Sequence, residues 1–354
     1  MVLYFLIALF GLVALMAIHE LGHFLLAKKF KIEVEEFGLG LPPRIFGKKI
    51  GRTFYSLNWL PFGAFVKIPA LEGDETQRSS SIPLNHKLMV FLGGVIATWL
   101  TALIIFIFIA GIWGLPFSAT EGEPAILQIV SVQENSPAEE AGLESGDFIL
   151  AANNEQEILF DQVNDFVSFL NDHRGELVNL TIKRGNNIIN LIVQPRLLEE
   201  KEEGALGVVI APTAYRQYSW YQAPLAGLQA TISQTIAIPI LTVDALGQLI
   251  KGEQIPGARI VGPIGIIQLV GEQATRGWDR LLMLIATIAI YLTIFNILPI
   301  PALDGGRILF LGVEKIMKKA PNRILENRIN SVFFFLLMGL LIFISIKDII
   351  HLFN

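Results

Sequence analysis

The sequence contains no cysteine. Disulfides and thiolate metal sites are therefore excluded, and any transition metal has to be held by histidine, aspartate or glutamate. Histidine is itself scarce, with five in 354 residues. Charge is scarce as well: 17% of residues are charged against 53% hydrophobic, which is too apolar for an ordinary water-soluble chain and too interrupted for one that only crosses membranes. A mixed protein is expected, part in lipid and part in water. The net charge of −5 is unevenly spread, with basic clusters at Lys28 to Arg52 and Lys315 to Arg328 and acids crowded between Glu121 and Glu203. Neither cluster reads as a nucleic-acid surface, so no nucleic-acid partner is expected.

Two of the five histidines lie in ALMAIHELGHFLLAKK, Ala14 to Lys29, inside an apolar run whose first eighteen residues are uncharged. If that run is helical, His19 and His23 project from one face about one turn apart, with Glu20 beside them. Two imidazoles so placed can bind one zinc ion, and Glu20 can then move a proton between water and a leaving amine, the chemistry of H-E-x-x-H peptidases. A carboxylate and two histidines in a membrane-spanning segment cost several kcal/mol without partners, so a purely structural role explains them poorly. A third ligand is expected from Asp304, in the phrase Asn296-Ile-Leu-Pro299-Ile-Pro301-Ala-Leu-Asp304-Gly305-Gly306, where two prolines and two glycines stop a helix and offer the carboxylate inward. Asn296 lies about two turns deeper, placed to hold a substrate backbone or an oxyanion, or to bond between helices.

Hydropathy divides the chain at 1–117, 118–217, 218–274 and 275–354. Spans are expected at Leu3 to Ala27, Leu88 to Trp113, Leu281 to Leu298 and Ser331 to Ile350, each near the ~20 residues one crossing needs. Lysines directly after the first span place that end in the cytoplasm and both termini outside. Between the first two spans, Ile32 to Lys87 is rich in turn formers and holds extended-looking runs such as Thr53 to Leu57 and Ala64 to Ile68. The 118–217 stretch is then extracytoplasmic. Its Ser136-Pro137-Ala138, Ala141-Gly142-Leu143 and Gly146-Asp147 resemble a bacterial PDZ domain, a module that binds extended peptides at a sheet edge. The 218–274 connector is apolar but broken by Gln229, Gln234, Asp244 and several glycines, and is read as an amphipathic helix at the outer surface followed by a re-entrant piece around Gly262-Pro263-Ile264-Gly265.

HELGH in the first span, a PDZ-like insert and a late LDGG together resemble the site-2 protease family of intramembrane zinc metalloproteases, in the bacterial branch that includes RseP and RasP. The expected fold class is a multi-pass α-helical membrane protein of about four transmembrane helices, with a membrane-associated β-rich loop and an inserted extracytoplasmic PDZ-like α+β domain. The resemblance implies zinc held by His19, His23 and Asp304, Glu20 as the base, Asn296 in substrate handling, and a loop whose residues Ala64, Phe65, Val66, Lys67 and Ile68 receive the substrate as an added strand. It implies a bacterial inner-membrane endopeptidase with its active site toward the cytoplasm, cutting transmembrane segments of membrane-anchored proteins in the lipid bilayer after a first cut by an upstream site-1 protease. Two departures stand out: Gly94, Val95 and Thr98 replace the Gly-Pro and Asn of many members' second span, and only one PDZ-like unit is present. The alternatives are an inactive PDZ membrane scaffold, which leaves the intact chemical residues without a reason, and a membrane zincin cutting in an aqueous chamber, which would usually use a glutamate as third ligand.

Overall fold

The computed structural model describes residues 2–353 apart from 73–81, 119–124, 134, 154–156, 161, 186, 198–203, 252–260 and 318–322. The acidic run 199–203 and part of the expected re-entrant piece lie outside the described residues. The chain opens with helix α1 (Val2–Lys29), apolar on every side and closed by two lysines in its last turn. Strands β1 (Glu36–Ile50) and β2 (Thr53–Lys67) follow as one antiparallel hairpin. The hairpin curls on itself, so that residues 36–39 pair with 54–57 on one side and with 64–67 on the other. Ala64 to Lys67 is therefore an edge, with no further strand paired to it among the described residues.

A short helix α2 (Pro69–Glu72) leads to α3 (Leu84–Ile112), which runs through the middle of the membrane part and packs against α1. That crossing is backbone on backbone: a methyl added at Gly22 would collide with the Gly93 carbonyl, and one at Gly93 would meet Gly22. The inserted domain then builds a sheet from β3 (Leu115–Ser118), β4 (Ile126–Val132), β5 (Phe148–Asn153), β6 (Glu157–Leu159), β7 (Val178–Arg184), β8 (Asn187–Val193) and β9 (Val208–Arg216), in the order β3-β9-β4-β5-β7-β8 with β6 on β5. Helices α4 (Pro137–Glu140) and α5 (Val163–Asp172) complete it over a core of Leu127, Ile129, Ile149, Phe166, Leu180 and Ile182. Ser136 caps the start of α4, its hydroxyl accepting from the Glu139 amide at 3.2 Å.

The chain returns through α6 (Ala223–Ile250), α7 (Pro263–Arg276), α8 (Trp278–Ile297), α9 (Asp304–Met317) and α10 (Arg323–Phe353). The expectation of about four spans meets one more candidate helix here. Among the described residues, five helices are long and apolar enough to cross a membrane, and the one not expected as a span is α6 over Ala223–Gln248. Its polar side chains lower its hydropathy but find partners on neighbouring helices: Trp99 Nε1 donates to Thr235 Oγ1 at 3.1 Å, and Thr287 Oγ1 to Gln234 Oε1 at 3.2 Å. The expected surface amphipathic helix is thus packed along α3 and α8. Leu15, Phe106, Ile109, Ala286, Ala289 and Ile290 form the buried centre of this bundle.

The insert is fixed to the bundle at the corner between α7 and α8. Arg276 Nη2 donates to Glu144 Oε2 at 2.6 Å, its Nη1 donates to the Ser145 carbonyl, and Arg280 lies 5.0 Å over the Phe148 ring. Within the insert, fully buried Asp147 accepts from Arg184 Nε at 2.8 Å and Nη2 at 2.7 Å. This carboxylate holds the Arg184 guanidinium further above its ordinary pKa.

Candidate active site

The helical repeat of α1 does what the motif spacing predicts, setting His19 and His23 one above the other on the side that faces α3. His23 is buried, and its Nδ1 donates to the Val90 carbonyl of α3 at 2.7 Å, which leaves Nε2 as the free nitrogen. Gly94 of α3 lies directly against both rings: a Cβ there would collide with His23 Nε2 and His19 Nε2. The glycine is what lets α3 approach this closely.

Asp304 arrives from 285 residues away. After α8 the chain turns through Leu298 to Leu303, with Ala302 in the left-handed region at φ +76°. Gly305 and Gly306 fit beneath the turn, where any side chain would strike the carbonyls of Leu298 and Ile300. Asn330 of α10 braces the turn, its Oδ1 accepting from the Ala302 amide at 3.1 Å. Asp304 consequently points at the histidines, with Oδ2 at 3.0 Å from His19 Nε2 and 3.2 Å from His23 Nε2, while the two Nε2 atoms are 3.2 Å apart.

Three nitrogen and oxygen donors in a triangle of this size fit zinc. Bonds of ~2.0–2.1 Å in a tetrahedron set neighbouring ligand atoms roughly 3.3 Å apart and leave a fourth direction open. The same atoms are the one group of three or more metal-ligand side chains found among the described residues. His19 Nδ1 is buried without a hydrogen-bond partner.

The triangle forms part of the wall of a cavity of about 540 Å³, shared by Met16, Glu20, Phe65, Val66, Lys67, Ile68, Phe91, Asn296 and Arg307. Of the residues singled out from the sequence, His19, Glu20, His23, Asp304, Asn296 and Phe65 to Ile68 all meet here, and Ala64 does not line it. Asn296 Nδ2 donates to the Leu292 carbonyl at 2.9 Å, within its own helix. Thr98 Oγ1 lies 2.9 Å from Thr293 Oγ1 and joins α3 to α8. Arg307, on the same wall, is not among the residues singled out from the sequence. Its signal was the spacing of three from Asp304, which puts both on one helix face.

A bundle of apolar helices with a metal-ligand triangle facing a cavity between them defines a membrane metalloprotein. Comparison with known proteins gives the rest. The Peptidase family M50 model matches residues 5–340. A Clostridium perfringens protein named as a zinc metalloprotease is 37% identical, over 98% of this chain and 99% of its own. A similarly named Fusobacterium nucleatum protein is 30% identical over 99% of both, and the zinc metalloprotease RasP of Geobacillus kaustophilus is 27% identical over 97% of this chain and 96% of its own. Among solved structures, the PDZ domain of an SdrC-like protein from Listeria monocytogenes matches 26% of this chain and 93% of that one, at 18% identity and a TM-score of 0.21. The chain belongs to peptidase family M50, the site-2 protease family. It is a zinc metalloprotease of the membrane.

Proposed function

We propose that this protein is an intramembrane endopeptidase that hydrolyses a peptide bond inside the transmembrane segment of a membrane-anchored protein. One observation carries the reading: His19 Nε2, His23 Nε2 and Asp304 Oδ2 converge on a single point beside Glu20, on the wall of a cavity that α1, α3, α8 and α9 share with the end of β2. Zinc bound there supplies a Lewis acid that lets water lose a proton near neutral pH. Glu20 takes that proton and delivers it to the leaving amine nitrogen. Asn296, on the same wall, is the group to hold the substrate carbonyl.

A transmembrane helix hides its carbonyls in its own hydrogen bonds, so the substrate has to unwind locally. The edge strand Ala64 to Lys67 offers replacement bonds, with Phe65, Val66 and Lys67 on the cavity wall. Basic residues at the end of α1 and of α9 put that face in the cytoplasm, and Trp113, Trp220 and Trp278 at the opposite helix ends suit the outer interface. The N-terminus and the PDZ-like domain, 118–217, are then extracytoplasmic. Docked on the α7–α8 corner, that domain screens for substrates that a site-1 protease has already trimmed.

The test is Glu20→Gln in cells carrying a membrane-anchored reporter. Cleavage is expected to fall by about 10²–10⁴-fold while bound zinc stays at the wild-type level. Unchanged cleavage would remove Glu20 from the chemistry.

A further inference from the structure

Two cationic side chains besides the histidines line the cavity, Lys67 and Arg307. They differ in what neutralises them. Lys67 Nζ donates to Glu35 Oε1 at 3.0 Å, whereas Arg307 has no carboxylate partner among the described residues. Its guanidinium is instead set over the Phe91 ring, 5.6 Å from the centroid, and Phe91 is itself buried in the cavity wall. Arg307 follows Asp304 by three residues in α9 and leaves the helix on the same face, roughly 4.5 Å further along the axis. A planar, permanently charged fork is thus held one turn from the proposed metal ligands, sharing the cavity wall with Glu20 but in direct ion pair with no carboxylate among the described residues.

The reaction supplies the missing anion. An uncleaved transmembrane segment brings only neutral amides to the cavity. In hydrolysis, the water oxygen bonds to the carbonyl carbon, the carbon–nitrogen bond breaks, and one water proton goes to the amine nitrogen. The acid formed loses its proton, so the N-terminal fragment leaves with a carboxylate that did not exist before. We propose that Arg307 is the receptor for this carboxylate, taking its two oxygens in a bidentate pair and drawing the acyl product away from His19, His23 and Asp304. This rests on the intramembrane-peptidase reading above and adds to it a side chain that distinguishes cut chain from uncut.

Binding tests this without relying on turnover. Two fluorescein-labelled synthetic peptides end at the cut site of a cleaved membrane-anchored reporter, one as the acid and one as the amide. Each is titrated against the zinc-loaded full-length protein in detergent micelles and followed by anisotropy. Wild type is expected to prefer the acid by about tenfold or more. Arg307→Gln is expected to narrow that gap to within about twofold with its zinc content unchanged, and Arg307→Lys to keep part of it. A gap that survives intact in Arg307→Gln, or no preference in wild type, overturns the assignment. If wild type neither holds zinc nor cuts the reporter, it is the peptidase reading that fails, and this inference goes with it; a zinc-loaded, active wild type with an unchanged gap removes Arg307 alone.

Discussion

A single missing methyl group governs the approach of α3 to the two histidines. Gly94 lies flat against His19 and His23, and Val90, one turn earlier in α3, fixes the His23 ring through its carbonyl. Gly94→Ala is therefore expected to push the rings out of register, weakening zinc by about 10–100-fold, as loss of groups that orient ligands does. Zinc titration of the purified variant against a competing chelator reads this, and wild-type affinity would mean that α3 can retreat freely. The motif histidines and Glu20 were legible in the sequence because helical periodicity acts within five residues. Asp304 was legible for a different reason, since prolines and glycines in an apolar stretch have few purposes other than to stop a helix and expose its next polar group. The Val90 carbonyl and the orientation of Arg307 were not legible, because each depends on how two distant helices meet.

The most consequential element is the curled hairpin. The short runs at Thr53 to Leu57 and Ala64 to Ile68 were readable as strands from their β-branched and aromatic residues. That residues 36–39 are shared between both of them was not readable, since pairing on two sides is a property of the folded chain. The sharing decides which backbone groups are available to substrate. The Lys67 carbonyl accepts from the Glu35 amide at 3.0 Å, so Lys67 bonds toward β1, and by alternation the Val66 amide and carbonyl point away from β1. Val66→Pro removes that outward donor and leaves the internal ladder in place. Reporter cleavage is expected to drop about tenfold or more, the scale of one to two lost hydrogen bonds, with bound zinc unchanged. Full activity would exclude strand addition at this edge. Helix α6 teaches the converse lesson: its Gln234 and Thr235 look like interruptions in a local window, yet α8 and α3 supply their partners.

Across the whole molecule, α7 ties the parts together. At its start the buried Asp348 of α10 accepts from the amides of Gly262 and Gly265 at 3.0 and 2.9 Å, and at its end Arg276 clasps Glu144 of the insert. The insert's half of that clasp depends on Asp147, which shapes the 144–147 loop by accepting from the Glu144 amide at 2.8 Å and from Arg184. Asp147→Ala leaves the Arg184 guanidinium short of its partner, and roughly 3 kcal/mol of insert stability is expected to go with it. Faster hydrogen exchange across β5 and β7, with α1 and α3 unaffected, is the result that checks it. Equal exchange in both would show the pair to be dispensable.

The proposed active site depends on one ion bridging two ends of the chain. X-ray absorption at the zinc edge of the purified full-length protein measures that bridge directly. The expected spectrum has two imidazole nitrogens and at least one carboxylate oxygen at ~2.0–2.1 Å in wild type, with the metal largely lost in Asp304→Asn. A zinc shell with one imidazole or none, or a spectrum that Asp304→Asn leaves as it was, would contradict it.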